Sequence, residues 1–154
     1  MRAVLLVLFQ VGPDTYAVDA RRVTEVVPAV ALRSVPAAPP WVAGLLGYRG
    51  AVVPVVDLSR ILGGVDSVPR LSTRILITTV SDDRGKERLL GLMAESVLET
   101  LSRDVTEFRQ EGVVPRDAAF LGRISCDDRG MVQLVEIEKL VPAALAPMLF
   151  PEAS

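Results

Sequence analysis

Apolar residues in this chain come in short, β-branched runs separated by Gly, Pro and Asp, the pattern of successive strands and tight turns. Ala3 to Val11 reads as a strand, Gly12-Pro13-Asp14 as a turn and Thr15 to Val18 as the returning strand. Asp19 is placed to cap one turn through Ala20-Arg21-Arg22. Val23 to Leu32 is then extended, with Pro28 confining this strand to an edge or a bulge. By alternation Val23, Glu25 and Val27 share one face of it.

The stretch from Gly44 to Leu62 carries the densest positional signals. Pro39 and Pro40 precede Trp41-Val42-Ala43, and Gly44 follows, which predicts a short helical turn stopped at Gly44. Gly47 and Gly50 flank Tyr48-Arg49, so a tight reversal with positive φ leaves Arg49 at an exposed hairpin tip. Ala51 to Val56 is a strand limited by Pro54 to an edge or a bulge. Asp57 then caps a short helix whose Leu58, Ile61 and Leu62 fall on one face, ended by Gly63-Gly64.

Gly63 to Ser72, with two glycines and Pro69, is the predicted boundary between two units. Thr73 to Val80 and Arg88 to Ala94 are paired strands around the turn Asp82-Asp83-Arg84-Gly85, and Ser96 to Leu101 continues extended. Ser102 to Ala119 reads as a long polar loop with room for one helical turn. Leu121 to Cys126 and Met131 to Val135 form a last hairpin, followed by helical Glu136 to Val141 and an apolar tail to Phe150 interrupted by Pro142 and Pro147. An internal echo links the two units. Arg49-Gly50-Ala51-Val52 resembles Arg129-Gly130-Met131-Val132, and after one extra residue in the first copy Val55 to Leu62 resembles Leu134 to Val141. Many short strands with regular turns point to small barrels or sandwiches.

With 154 residues, half of them hydrophobic, the chain can bury a substantial core. A net charge of −2 and only 5% aromatic residues argue against a nucleic-acid surface, which needs a basic field and stacking rings. The absence of histidine and the single cysteine, Cys126, remove Cys-His catalysis, histidine-based zinc sites and a disulfide framework, and fit a reducing compartment. No run reaches the roughly 18 apolar residues that span a bilayer, so the expectation is no direct membrane insertion.

Candidate chemistry is sparse. The pairs Asp82-Asp83 and Asp127-Asp128 are each followed by Arg-Gly, and turn chemistry accounts for both without a metal. Ser59, Ser72, Ser96, Ser102 and Ser125 have no histidine to act as base. Gly44-Leu45-Leu46-Gly47 lacks the Lys and Ser or Thr of a phosphate loop. Cys126, at a strand end beside Asp127, reads as core packing. The sequence therefore predicts no catalytic residue, cofactor or metal. Arg49 is open to two readings, a solvated tip or a partner contact. Val23 and Val27, and likewise Val97 and Leu98, are open between core and an exposed apolar edge.

Gly44, Arg49, Gly50, Pro54, Asp57 and Leu58 fit a Gly-x-x-x-x-Arg-Gly-x-x-x-Pro-x-x-Asp-Leu segment that resembles the hallmark of the CheW-like domains of bacterial chemosensory systems. The resemblance extends over nearly the whole chain, through Phe9, Tyr16 and Glu25 near the start and Gly91, Gly122, Glu138 and Leu140 later. Gly47 stands where the family usually has Asn. The resemblance implies a mainly β fold of two small five-stranded SH3-like barrels side by side with short helices, approximately 12–66 for the first and 1–11 plus 67–154 for the second. It implies a stand-alone cytoplasmic scaffold without enzymatic activity, recruited to membrane receptor arrays. Its partners would be a chemoreceptor's cytoplasmic tip and the regulatory domain of a CheA-type histidine kinase. Val23, Glu25, Gly44, Arg49, Gly50 and Val97 fall where the family's partner binding is sensitive, and Val27 joins them by sharing the strand face. The alternative is a small β-barrel module binding nucleic acid or a ligand.

Overall fold

A computed structural model of the protein describes residues 3–63, 71–82, 84–110, 112–127, 130–140 and 149–150. Ten strands form two five-stranded sheets. They are β1 (Ala3–Val11), β2 (Asp14–Asp19), β3 (Val23–Pro28), β4 (Val42–Tyr48), β5 (Ala51–Asp57), β6 (Arg74–Ser81), β7 (Glu87–Ala94), β8 (Ser96–Asp104), β9 (Leu121–Asp127) and β10 (Gly130–Val135). One sheet, ordered β3-β6-β7-β5-β4, is contiguous in sequence, and we call it the central sheet. The other, ordered β8-β1-β2-β10-β9, joins strands from both parts of the chain, and we call it the terminal sheet.

The boundary expected at Gly63 to Ser72 does not divide the sheets. The helix α1 (Leu58–Gly63) follows β5 and β6 comes next, and both strands belong to the central sheet. The division into 12–66 and 1–11 plus 67–154 is likewise corrected, since β2 lies beside β1 and β6 and β7 complete the central sheet. The reason is pairing order: each sheet needs a hairpin from one half of the chain and three strands from the other.

The echo is structural, but its register differs from the one read in sequence. Tyr48 pairs Ala51 and Asp127 pairs Gly130, so the two hairpins share one register. Val42↔Val56 and Leu45↔Pro54 correspond to Val135↔Leu121 and Gln133↔Ile124 at one constant spacing. The two Arg-Gly pairs are therefore not equivalent, and no extra residue is needed. The same spacing relates the bond from the Asp57 amide to the Trp41 carbonyl to the bond from the Glu136 amide to the Phe120 carbonyl, both 2.8 Å.

Neither sheet closes through its edge strands. Instead the segment after β3 bridges back through Arg33↔Leu45, and the segment after β8 through Arg109↔Ile124. Each sheet thus curls over its own core. Leu46, Val53, Val55, Ile75 and Ile77 fill the central one, and Leu6, Leu8, Ala17, Phe108 and Val132 the terminal one. A third layer, including Val7, Phe9, Val56, Leu76, Leu90 and Leu92, lies between the sheets. Alternation explains the double burial: on β1 Leu6 and Leu8 point one way and Val7 and Phe9 the other.

Local expectations fare unevenly. Pro28 ends the edge strand β3, and Pro54 sits just before β5 begins to pair β7 at Val55, where β4 alone flanks it. Asp57 caps α1 through Oδ1, accepting from the Ser59 amide at 3.0 Å. The helical turn at Trp41 to Ala43 is absent, because Val42 and Ala43 already belong to β4. Gly44 is not a stop but lies at a bulge in the β4-β5 ladder. Gly47 is an ordinary strand residue, and the reversal uses Arg49 and Gly50, with φ of 49° and 79°. Strand β8 runs on to Asp104, beyond the expected start of the loop. Cys126 is exposed, on the edge strand β9, and not packed in a core. Asp83, Asp128 and Arg129 lie outside the described residues.

Candidate functional site

Arg49 stands at the tip between β4 and β5 with most of its side chain in solvent. Its Nη2 donates to Glu25 Oε1 on β3 at 2.7 Å, an ion pair that joins the two edges of the curled central sheet. Its guanidinium also lies 5.3 Å from the centre of the Tyr48 ring, within cation-π range. Burial raises the Tyr48 pKa, and the nearby Glu25 carboxylate adds to the rise while the Arg49 charge opposes it. Glu25, Tyr48 and Arg49 therefore form one small polar cluster in which a single carboxylate acts on both a cation and a phenol.

Tyr48 was not among the sequence candidates. Its signal was available in principle, since an aromatic residue immediately before a hairpin-tip arginine is positioned to stack on it.

The remaining candidates separate. Gly50 supplies the second positive-φ position of the turn, and a Cβ there would meet nothing within 4 Å, so its requirement is conformational. Gly44 is constrained by space: a Cβ would come 2.7 Å from the Arg33 carbonyl oxygen and 2.9 Å from Leu32 Cβ. It therefore guards the Arg33↔Leu45 bridge. Val23 and Val97 both pack on the layer between the sheets, one from edge strand β3 and the other from edge strand β8. Val27 packs instead into the central sheet's own core, because a bulge between Val23 and Glu25 in the β3-β6 ladder interrupts the expected shared face. The outward apolar residues on these edges are Val26 and Leu98.

Two grooves flank the equivalent hairpins. One, of about 690 Å³, runs along β4 and β5 and is lined by Val35, Leu45, Val52 and Val53, with Glu87 and Arg88 at its rim. The other, of about 760 Å³, lies against β9 and β10 and includes Arg109, Ile124, Cys126 and Met131. Val52 and Met131 occupy equivalent places in the two hairpins and are 72% and 66% exposed. Val52 borders the groove along β4 and β5, and Met131 borders the one against β9 and β10.

Among the described residues no cluster of three or more His, Cys, Asp or Glu side chains is positioned to hold a metal ion. No helix among them is long and apolar enough to cross a membrane.

Two curled five-stranded sheets of SH3 type, joined through a shared apolar layer and carrying a polar cluster on one hairpin tip, define the architectural class. Residues 5–145 match the model of the CheW-like domain, and the chain belongs to that family. It is 27% identical over 140 residues to a chemotaxis protein CheW of Rhizobium meliloti (strain 1021), covering 90% of this chain and 87% of that one. Protein FrzA of Myxococcus xanthus is 31% identical over 90 residues, covering 58% of this chain and 53% of FrzA. The crystal structure of scaffolding protein TtCheW from Thermoanaerobacter tengcongensis superposes with a TM-score of 0.79 at 25% identity, over 92% of this chain and 90% of that one.

Proposed function

We propose that this protein is a non-enzymatic adaptor that couples the cytoplasmic tips of chemoreceptors to a CheA-type histidine kinase. It works in the cytoplasm and is recruited to membrane receptor arrays through those partners. The observation that carries this reading is the match of residues 5–145 to the CheW-like domain, together with Val52, an apolar side chain 72% exposed on the β4-β5 face. An adaptor has to hold two partners at once, and the β4-β5 face and the junction of the two sheets supply separate surfaces.

In this arrangement the β4-β5 face of the central sheet receives the regulatory domain of the kinase. The receptor tip lies along the junction of the two sheets, where Val23 and Val97 pack on the shared layer. Glu25, Arg49 and Gly50 present the polar rim, and Gly44 acts indirectly by holding the hairpin. A shift at the receptor then biases the kinase because each partner's contacts differ between its active and inactive arrangements.

The test is a calorimetric titration against the kinase regulatory domain and, separately, against a receptor tip, with Val52→Asp and Arg49→Ala alongside the parent. Saturable one-to-one binding to the kinase domain that Val52→Asp abolishes is the expected result. Binding to neither partner by the folded parent protein overturns the proposal.

A further inference from the structure

The chain first passes from the terminal to the central sheet at the turn Ala20–Arg22. There Arg22 donates through Nη2 and Nε to the Thr79 carbonyl of β6, at 2.7 and 3.3 Å. Its Nη1 pairs with the Glu138 carboxylate in the turn Ile137–Lys139 that follows β10. One guanidinium thus grips the central sheet through β6, the terminal sheet through the extension of β10, and the crossover that carries it.

We propose that Arg22 is the fastener that sets the angle between the two sheets. The layer between them is built from side chains such as Val7, Val56, Leu76 and Leu92. Burial of such groups is non-directional, so the hydrophobic effect by itself favours contact between the sheets more than any one rotation. The guanidinium is different, because its donors form a rigid planar fork that accepts only a narrow range of partner positions. Glu138 is half exposed, so the ion pair itself adds little stability. Its loss is expected to appear in the geometry of the molecule more than in its melting temperature. The inference does not depend on which partners the protein binds.

Spin labels test it in a Cys126→Ser background. One pair, Glu99→Cys on β8 with Val52→Cys on β5, spans the two sheets. A second, Thr24→Cys on β3 with Val52→Cys, stays within the central sheet. Arg22→Ala is expected to broaden the distance distribution of the first pair, leave the second unchanged and move the melting temperature little. Glu138→Gln, which leaves the Thr79 contacts in place, is expected to give a smaller broadening of the same pair. Folded variants that keep the parent width across the sheets overturn the proposal, as does equal broadening of both pairs. If Arg22→Ala does not fold, the Glu138→Gln result decides in the same way.

Discussion

Glu25 and Arg49 lie on opposite edges of one sheet in chain order, 24 positions apart, yet their side chains meet at 2.7 Å. The contact requires the central sheet to curl until β3 approaches the β4-β5 tip, so the ion pair reports the curvature of the whole sheet. It also couples Arg49 to Tyr48 through a shared carboxylate.

The ionisation of Tyr48 should respond to both partners in opposite directions. Glu25→Gln removes the negative charge beside the phenol, and lowers its pKa; Arg49→Ala removes the opposing cation and raises it further. Spectrophotometric titration in a Tyr16→Phe background reads this directly. Because Arg49 is 73% exposed, either change should move unfolding stability by less than about 1 kcal/mol.

Gly44→Ala should be far more damaging than Gly50→Ala or Gly47→Ala. An added Cβ at 2.7 Å from the Arg33 carbonyl forces the bridging segment off β4, at a cost on the order of 1–3 kcal/mol. Urea unfolding measures the loss. Accelerated amide exchange at Arg33 and Leu45 would locate it.

Asp57→Ala should cost about 1 kcal/mol, since it strips the first turn of α1 of its acceptor while the strand side of the corner is untouched. Asp57→Asn, which retains an acceptor, should recover most of it in the same denaturation experiment.

Asp82 links stability to acid. Amides of Lys86 and Arg84 and the Arg88 guanidinium hold its carboxylate ionised, with the pKa lowered from 3.8 to about 2. The ionised form is the stabilising one, so its contribution is complete above the ordinary value of 3.8 and is lost as pH falls through about 2. The stability difference between the parent and Asp82→Asn should therefore be constant near neutrality and vanish across that acid window. A difference that persists below it would disprove the assignment.

Splitting the chain between α1 and β6 should yield two fragments that purify together. Each carries one hairpin of the other's sheet, β1-β2 on one side and β6-β7 on the other, so neither can complete a sheet alone. Co-expression followed by size exclusion and circular dichroism tests this, and fragments that fold separately would contradict it.

Much of the local architecture was legible in the sequence. Pro28 and Pro54 marked strands with an unpaired flank, Asp57 marked a cap, and Arg49-Gly50 marked a tip, because each of these depends on the residue's own backbone chemistry. Gly44 misled, since a glycine needed for close approach of a distant carbonyl looks locally like one that ends a helix. The exchange of hairpins was illegible for the same reason: which strand pairs with which is decided by Val23, Phe9 and Val97 finding a common layer, and no short window records that. Cys126 looked like core because it ends a strand beside Asp127, but β9 is an edge and its residue alternates outward. The candidate site was half legible, with Glu25 and Arg49 both singled out, while their contact and the part played by Tyr48 required the curvature of the sheet.

The unequal composition of the two sheets has a consequence for synthesis on the ribosome. Residues 23–94 contain every strand of the central sheet, so that sheet can form while the rest of the chain is still being made. The β1-β2 hairpin emerges before the central sheet yet waits for β8 to β10, its Leu6, Leu8 and Ala17 uncovered in the interval. That hairpin is thus translated before the central sheet yet buried after it, and a nascent chain stalled after β7 would present it to chaperones.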